Sequence, residues 1–433
     1  MLKLHHQTGQ PLKTLENVRT FLDEWPPIFG RIELDTFHHQ IITRVRLPWD
    51  YDPTKTYKYP RAWTDDDRAQ LAVAAEKVLG FNAPGMLDTA FVACAADNTY
   101  HPILRYLDGL EWDGRPRLES LFIEYLGADD TEYVKAVTRK AFVAAVRRIR
   151  KPGTKFDTMV ILTGPQGGYK SSLLRLMGEP WYSDSLRTFE GKEAMESLQG
   201  VWIMEVSELE AMRRSEVTAV KAFLSKTADR YRPAYGHYVQ EYPRQCVMFG
   251  TTNSEAFLRD ITGGRRFWPV RTDVIERMRD VWEDLPNERD QIWAEAVALD
   301  KGGEPLYLET YELQQAAKQE QEAYREVDPW EGAILDFVEE PVPVDWDEWP
   351  IDRRRIYWDG GVQGTEPETR ERERICAQEV WVEAMGKRLE DMTQMDARRI
   401  NSILAALPGW EKKGQMPPSN PYGRQRAFTR IKR

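Results

Sequence analysis

One stretch constrains this chain more than any other. The apolar run Met159-Val160-Ile161-Leu162 leads into Gly164-Pro165-Gln166-Gly167-Gly168-Tyr169-Lys170-Ser171, and Ser172-Leu173-Leu174-Arg175-Leu176-Met177 continues with helical character. A short continuous apolar run reads as a strand buried on both faces, as in a parallel sheet covered by helices. A strand, a glycine-rich turn, Lys-Ser and a helix form the context that a Walker A loop requires. Glycines let backbone N–H groups curl around phosphate oxygens, and the helix N-terminus adds its positive dipole end. Gly164 through Ser172 is therefore the expected ATP-binding segment, with Lys170 against the β- and γ-phosphates and the Ser171 hydroxyl on Mg²⁺. Tyr169 departs from GxxxxGK[ST], standing where the second glycine is expected. A bulky residue there restricts the loop or stacks on the nucleotide. The competing reading is a glycine-rich turn that binds nothing.

Two further apolar runs, Val201-Trp202-Ile203-Met204 and Cys246-Val247-Met248-Phe249, make residues 150–275 an α/β layer with a largely parallel sheet. The first leads into Glu205 and Glu208, carboxylates suited to holding the Mg²⁺ water shell or polarising an attacking water. The expected metal ligands are Ser171 and Glu205. The other run ends Gly250-Thr251-Thr252-Asn253, where the amide is placed to sense the γ-phosphate or its water. Gly263-Gly264-Arg265-Arg266-Phe267-Trp268 sets two guanidiniums on a glycine-flexed loop. Either arginine could act as a finger on a neighbouring subunit's nucleotide, against the plainer reading of an ion pair or surface charge. Between those runs, Lys226, Arg230, Arg232, Tyr235 and His237 interleave cations and rings around Pro233 and Gly236. That pattern suggests a loop or hairpin contacting single-stranded nucleic acid, or a structural hairpin with packed tyrosines.

Outside this layer the signals are coarser. Gln40 to Leu47 alternates like a strand, Thr64 caps a helix carrying Leu71 and Val78, and residues 86–150 look helical. Residues 326–348 hold nine acidic side chains and no basic one, which reads as a solvated connector. Residues 411–433 reverse the sign, with seven Lys or Arg against Glu411 alone. Met395 to Trp410 reads as a helix and turn, and a small winged-helix-like module is expected there. The expected division is a mainly helical part over 1–138, a P-loop ATPase over 139–300 and a helical C-terminal part over 301–433.

Composition removes several classes. Sixty Lys and Arg against 70 Asp and Glu give a net charge of −10, which argues against a nucleic-acid-coating protein but leaves room for a local basic surface. The three cysteines lie far apart, without the CxxC spacing of a zinc site or the even number of a disulfide framework, the pattern of a reducing, cytoplasmic compartment. No stretch approaches the ~20 apolar residues of a membrane span, and the N-terminus lacks the apolar core of a signal peptide.

Taken in order, LDGLEWDGRPRLESLFIEYLG (107–127), GPQGGYKS, WIMEVSEL (202–209), YRPAYGHYVQEYPRQCVMFGTTN (231–253) and GGRRFWPV (263–270) resemble the virulence-associated E family. That family is carried by phages, plasmids and chromosomal islands. Its ATPase core is similar to superfamily 3 helicases of the AAA+ class. The resemblance implies an α/β fold with an AAA+ P-loop core, a helical N-terminal domain and a helical, winged-helix-like C-terminal domain. It also implies a hexameric ring that hydrolyses ATP between subunits and translocates single-stranded DNA in replication of a mobile element within a bacterial host cell. Lys170 and Ser171 become the Walker A pair, Glu205 and Glu208 the Walker B carboxylates, Asn253 the sensor, and Arg265 or Arg266 the finger. Arg232, Tyr235 and His237 fall on a loop that faces the DNA channel in related helicases. The chain leaves no room for a primase domain, so a primase would be a separate protein. The basic tail could bind origin duplex or couple to the ring. Two alternatives share the same nucleotide site: an origin-binding initiator that uses ATP only to assemble, and a regulatory or defence ATPase acting on protein partners.

Overall fold

The computed structural model describes all residues except 53, 55, 209–213, 233–237, 255, 258–263, 326–327, 361–367 and 432–433, and the backbone alone at 214–216. It divides into two units, Met1–Tyr324 and Arg325–Arg433.

The first unit begins with α1 (Leu15–Glu24), β1 (Ile32–Asp35), β2 (Gln40–Thr43), β3 (Arg61–Ala62), α2 (Asp65–Leu79), α3 (Pro84–Asp97), β4 (Thr99–Tyr100) and α4 (Pro102–Asp108). The Thr64 hydroxyl and Asp67 carboxylate form a reciprocal capping box that starts α2, and Gly80 ends it in the left-handed conformation. The strands form a sheet of order β3-β2-β1-β4, absent from the expectation of a mainly helical N-terminal part. The strand expected over Gln40–Leu47 stops at Thr43, whose hydroxyl donates to Val45 O at 2.8 Å and turns the chain away.

Next come α5 (Leu121–Leu126), α6 (Glu132–Arg150), β5 (Met159–Thr163), α7 (Lys170–Gly178), β6 (Tyr182–Ser183), α8 (Gly191–Glu196), β7 (Ile203–Val206) and α9 (Arg214–Leu224). They are followed by β8 (Ala228–Tyr231), β9 (Gln240–Pro243), β10 (Val247–Thr252), β11 (Phe267–Arg271), α10 (Leu285–Lys301) and α11 (Tyr311–Ala323). Five strands form one parallel sheet of order β11-β5-β10-β7-β6. The pleat divides the core as period-2 alternation requires. Val160, Leu162, Val247 and Phe249 face α6, α7 and α10, while Met159, Ile161 and Met248 face α8 and α9. Trp202 stacks on Trp293 of α10 at 4.0 Å, tying the sheet to its helical cover.

The apolar runs at 159–162 and 246–249 are strands. The third begins two residues later than expected, at Ile203, so Glu205 lies inside β7 rather than beyond it. β11 was not expected, because Pro269 interrupts it; an edge strand tolerates the missing N–H. The limits drawn at 138 and 300 fall inside α6 and α10, two helices that cover the same sheet.

The second unit contains α12 (Glu331–Glu339), β12 (Val342–Pro343), α13 (Ile351–Trp358), β13 (Thr369–Arg370), β14 (Arg374–Ile375), α14 (Ala377–Glu379) running into a π turn at Val380–Ala384, α15 (Gln394–Ala406), β15 (Trp410–Gln415) and β16 (Arg426–Arg430). Of the acidic 326–348 segment, residues 326–327 lie outside the described residues and the rest, 328–348, is no solvated connector. Ile334, Phe337 and Val338 bury one face of α12, Trp346 is also buried, and the carboxylates occupy the remaining positions.

Candidate nucleotide-binding site

β5 delivers the chain into the Gly164–Ser171 turn, and the end of β11 fastens it: Thr272 N and Oγ1 both donate to Thr163 O, at 2.7 and 3.0 Å. Gly164 has φ 153°, and a Cβ there would overlap Thr272 Oγ1, so this position accepts glycine alone. Tyr169, the residue that departs from the motif, has φ 58° and ψ 13° and caps α7. The left-handed backbone that glycine would supply is thus kept by a tyrosine, at a cost of about 1 kcal/mol. Its ring lies 4.9 Å from the Arg277 guanidinium, and Arg277 pairs with Asp273.

Lys170, buried, donates to Gly164 O and Pro165 O at 2.8 Å each and to Asn253 Oδ1 at 3.1 Å. The Ser171 hydroxyl donates to Glu205 Oε1 at 2.6 Å. Thr251 Oγ1 donates to the same oxygen at 2.6 Å, and Tyr182 OH donates to Oε2 at 2.5 Å. Glu205 is 1% exposed, so these three hydroxyls provide for a carboxylate removed from water. Burial, reinforced by that carboxylate, pushes the Tyr182 phenol well above its ordinary range and keeps it a donor. β10 lies between β5 and β7 and brings Thr251 and Asn253 to the loop from one strand end. Glu208 lies two residues beyond the end of β7, exposed and left-handed (φ 56°). Beside the loop opens a cavity of about 610 Å³, lined by Asp129, Gly164, Asn253, Arg271, Glu320 and Tyr324 among others. Burial, with Asp129 adding to it, raises the Glu320 carboxyl above its ordinary pKa.

The remaining predicted residues lie elsewhere. Arg265 and Arg266 precede β11, whose Phe267 pairs with Met159 while Arg271 pairs with Thr163. About 15 Å of strand separates them from their own chain's loop. Arg266 donates to Ser225 Oγ at 3.0 Å and lies 3.7 Å from Asp157; Arg265 is exposed. β8 and β9 form an antiparallel hairpin carrying Arg230 and, just beyond β8, Arg232, both exposed. Asp229 and Arg244 form a buried two-pronged ion pair at its base, at 2.7 and 2.9 Å. Tyr231 is buried and stacks on Tyr242 at 4.7 Å, so this ring is packing rather than a platform. Lys226 Nζ lies 5.6 Å from the Phe223 ring. Tyr235 and His237 lie outside the described residues. Sequence reasoning missed Tyr182, since a two-residue strand has no periodicity, and missed the Tyr169–Arg277 contact.

Fold and site define a parallel α/β protein in which a lysine- and serine-bearing strand–loop–helix is joined to a buried carboxylate. The family model for the virulence-associated protein E-like domain matches residues 107–326, half of the chain, and the chain belongs to that family. Among solved structures it is similar to the A-form apo structure of the NrS-1 C-terminal region, at 12% identity and TM-score 0.44, covering 92% of this chain and 96% of that one. A second apo structure of that region matches at 13% identity and TM-score 0.40, covering 92% and 95%. No curated protein sequence matches the chain. Among the described residues no single helix is long and apolar enough to cross a membrane.

Proposed function

We propose that this protein is an AAA+ P-loop ATPase and DNA helicase that works as a ring in the replication of a phage or other mobile element. The observation that carries the reading is the Ser171–Glu205 hydrogen bond, which joins the loop hydroxyl to a buried carboxylate across the sheet. The strand order supports it: counted along the chain, the strands run 5-1-4-3-2, with the loop after the first and Asn253 after the fourth.

The donor set suits Mg²⁺. Ser171 and Glu205 offer hard oxygens at one point. Among the described residues no three His, Cys, Asp or Glu side chains converge, so the remaining ligands would be water and phosphate oxygens. When bound, the ion neutralises charge developing on the transferred phosphoryl group. Lys170, held toward Asn253, turns its ammonium to the phosphates. Asn253 orients the attacking water, and Glu208 polarises it from the solvent side. Arg265 serves as the finger in trans, since Arg266 is engaged by Ser225 and Asp157. The β8–β9 hairpin, with Lys226, Arg230 and Arg232 and the Tyr235 and His237 segment, faces single-stranded DNA in the ring channel. The test is ATP hydrolysis by the purified protein, with and without single-stranded DNA, at two protein concentrations. A rate that rises with DNA and more than proportionally with concentration supports a shared-site motor, and Lys170→Ala should abolish it. The strained Tyr169 favours one second reading, an initiator that binds ATP to assemble and turns over slowly; a flat, near-zero rate despite ATP binding would select it.

A further inference from the structure

The second unit carries a surface that the ATPase reading leaves unused. Two helical segments, α14 with its π turn and then α15, are followed by the β15–β16 hairpin. β14 pairs with the free side of β16, which gives the order β14-β16-β15. A helical pair followed by a ribbon that folds back on a strand ahead of the helices is a winged-helix arrangement, in which the second helix faces outward.

α15 is built for that position. Ile400, Ile403 and Leu404 hold its inner face in a core with Val380, Trp381 and Phe428. Gln394, Met395, Arg398 and Ala405 are exposed and Ser402 is partly so, all on the opposite face by helical spacing. None of these five is acidic. The Asp396 carboxylate is turned back onto the helix start, accepting from Thr393 N and Oγ1 at 3.1 and 2.6 Å. Arg399 is committed inward, paired with Asp328 and lying 3.8 Å from the Trp330 ring. On the ribbon, Lys412, Lys413, Arg424 and Arg426 are exposed, with Glu411 the lone acid, in a chain whose net charge is −10.

We propose that this unit binds duplex DNA, with the outer face of α15 in the major groove and the β15–β16 ribbon along the phosphate backbone. The side chains fit the task. Arg398 and Gln394 can pair with purine edges, Ser402 with either base type, and Met395 and Ala405 offer apolar contact to a thymine methyl. Cations on the ribbon fix position through phosphates. A single strand would need stacking platforms. The aromatic side chains of this region, Trp410, Tyr422 and Phe428, are all buried. This inference does not depend on the nucleotide site.

The experiment is fluorescence polarisation with the full-length protein, without nucleotide. The probes are a mixed-sequence duplex of about 30 base pairs, its single strand, and a randomised duplex pool carried through selection. Duplex should bind more tightly than single strand. Lys412→Ala/Lys413→Ala/Arg424→Ala/Arg426→Ala should weaken duplex binding and flatten its salt dependence by roughly 3–4 in log–log slope, at an unchanged melting temperature. Arg398→Ala/Ser402→Ala should hold mixed-sequence affinity within about twofold yet lose any selected preference. Lys170→Ala should bind duplex as the parent does, so a failed ATPase reading leaves this outcome intact. Duplex binding lost with Arg230→Ala/Arg232→Ala but kept in the ribbon variant would overturn the assignment. So would a preference for single strand that the ribbon variant abolishes.

Discussion

The Ser171 hydroxyl hydrogen-bonds Glu205 at 2.6 Å, though 34 residues separate them in the chain. β7 and β5 do not touch, and β10 spans the gap with Thr251, which donates to the same carboxylate oxygen. The carboxylate is thus held in place by the protein's own hydroxyls. Its removal should affect both chemistry and stability.

Glu205→Gln retains shape but offers one accepting oxygen where the carboxylate offers two. At least one of the Ser171, Thr251 and Tyr182 hydroxyls must lose or reverse its bond. Stability should fall by about 1–3 kcal/mol, read as a lower denaturant midpoint at constant m. ATP should still bind, while hydrolysis drops by roughly 10²-fold or more. Unchanged turnover in this variant would remove Glu205 from the site.

Tyr169 supports a prediction in which the smaller residue does better. Tyr169→Gly relieves the left-handed backbone, about 1 kcal/mol, but loses the Arg277 contact, about 0.5–1 kcal/mol. Tyr169→Ala keeps the strain and loses the contact. Thermal melts should therefore rank Gly near the parent and Ala below both. An alanine variant as stable as the glycine variant would mean that the φ of 58° costs nothing.

The legible parts of this site share one physical cause. Runs such as Met159–Leu162 and Cys246–Phe249 announce a strand buried on both faces, and a Lys-Ser after a glycine-rich turn announces the helix start that follows. Tyr169 stands out as an exception to a pattern, but its left-handed backbone is set by the turn between β5 and α7 and leaves no mark on residue type. Tyr182 left no trace, because its position beside Glu205 depends on a two-residue edge strand. The acidic 326–348 segment misled for a different reason. Its nine carboxylates dominate composition, while the i, i+3, i+4 spacing of Ile334, Phe337 and Val338 is the signal that folds it.

Acid should weaken the first unit before carboxylates titrate. His39 and His101 are held below their usual pKa, chiefly by burial, His39 against Tyr242 and His101 beside Gln245. With the folded pKa depressed, the unfolded chain takes up more protons as pH falls below about 6.5, so stability is present above that value and is lost below it. Melting temperature should fall between about pH 7 and 5.5. His39→Asn/His101→Asn should flatten that slope: asparagine tolerates the φ of 54° at 39 and can cap α4 at 101. A slope unchanged in the double variant would place the titration elsewhere.

The two adjacent arginines should behave differently, because among the described residues only Arg266 has partners within its own chain. Arg266 is tied to Ser225 and Asp157, so Arg266→Ala should lower stability modestly, by about 0.5–1.5 kcal/mol. Arg265 is exposed on the segment before β11, a strand's length from its own loop. Arg265→Ala should leave the melt unchanged and remove most hydrolysis, by roughly 10³-fold if it acts as a finger. The decisive step is mixing. Arg265→Ala protein retains an intact loop, and Lys170→Ala protein retains an intact finger, so mixed assemblies contain interfaces with both. Activity should reappear in the mixture and peak at intermediate ratios. A mixture that stays inactive at every ratio, with both variants still associating, would show that no residue is shared between subunits at this site.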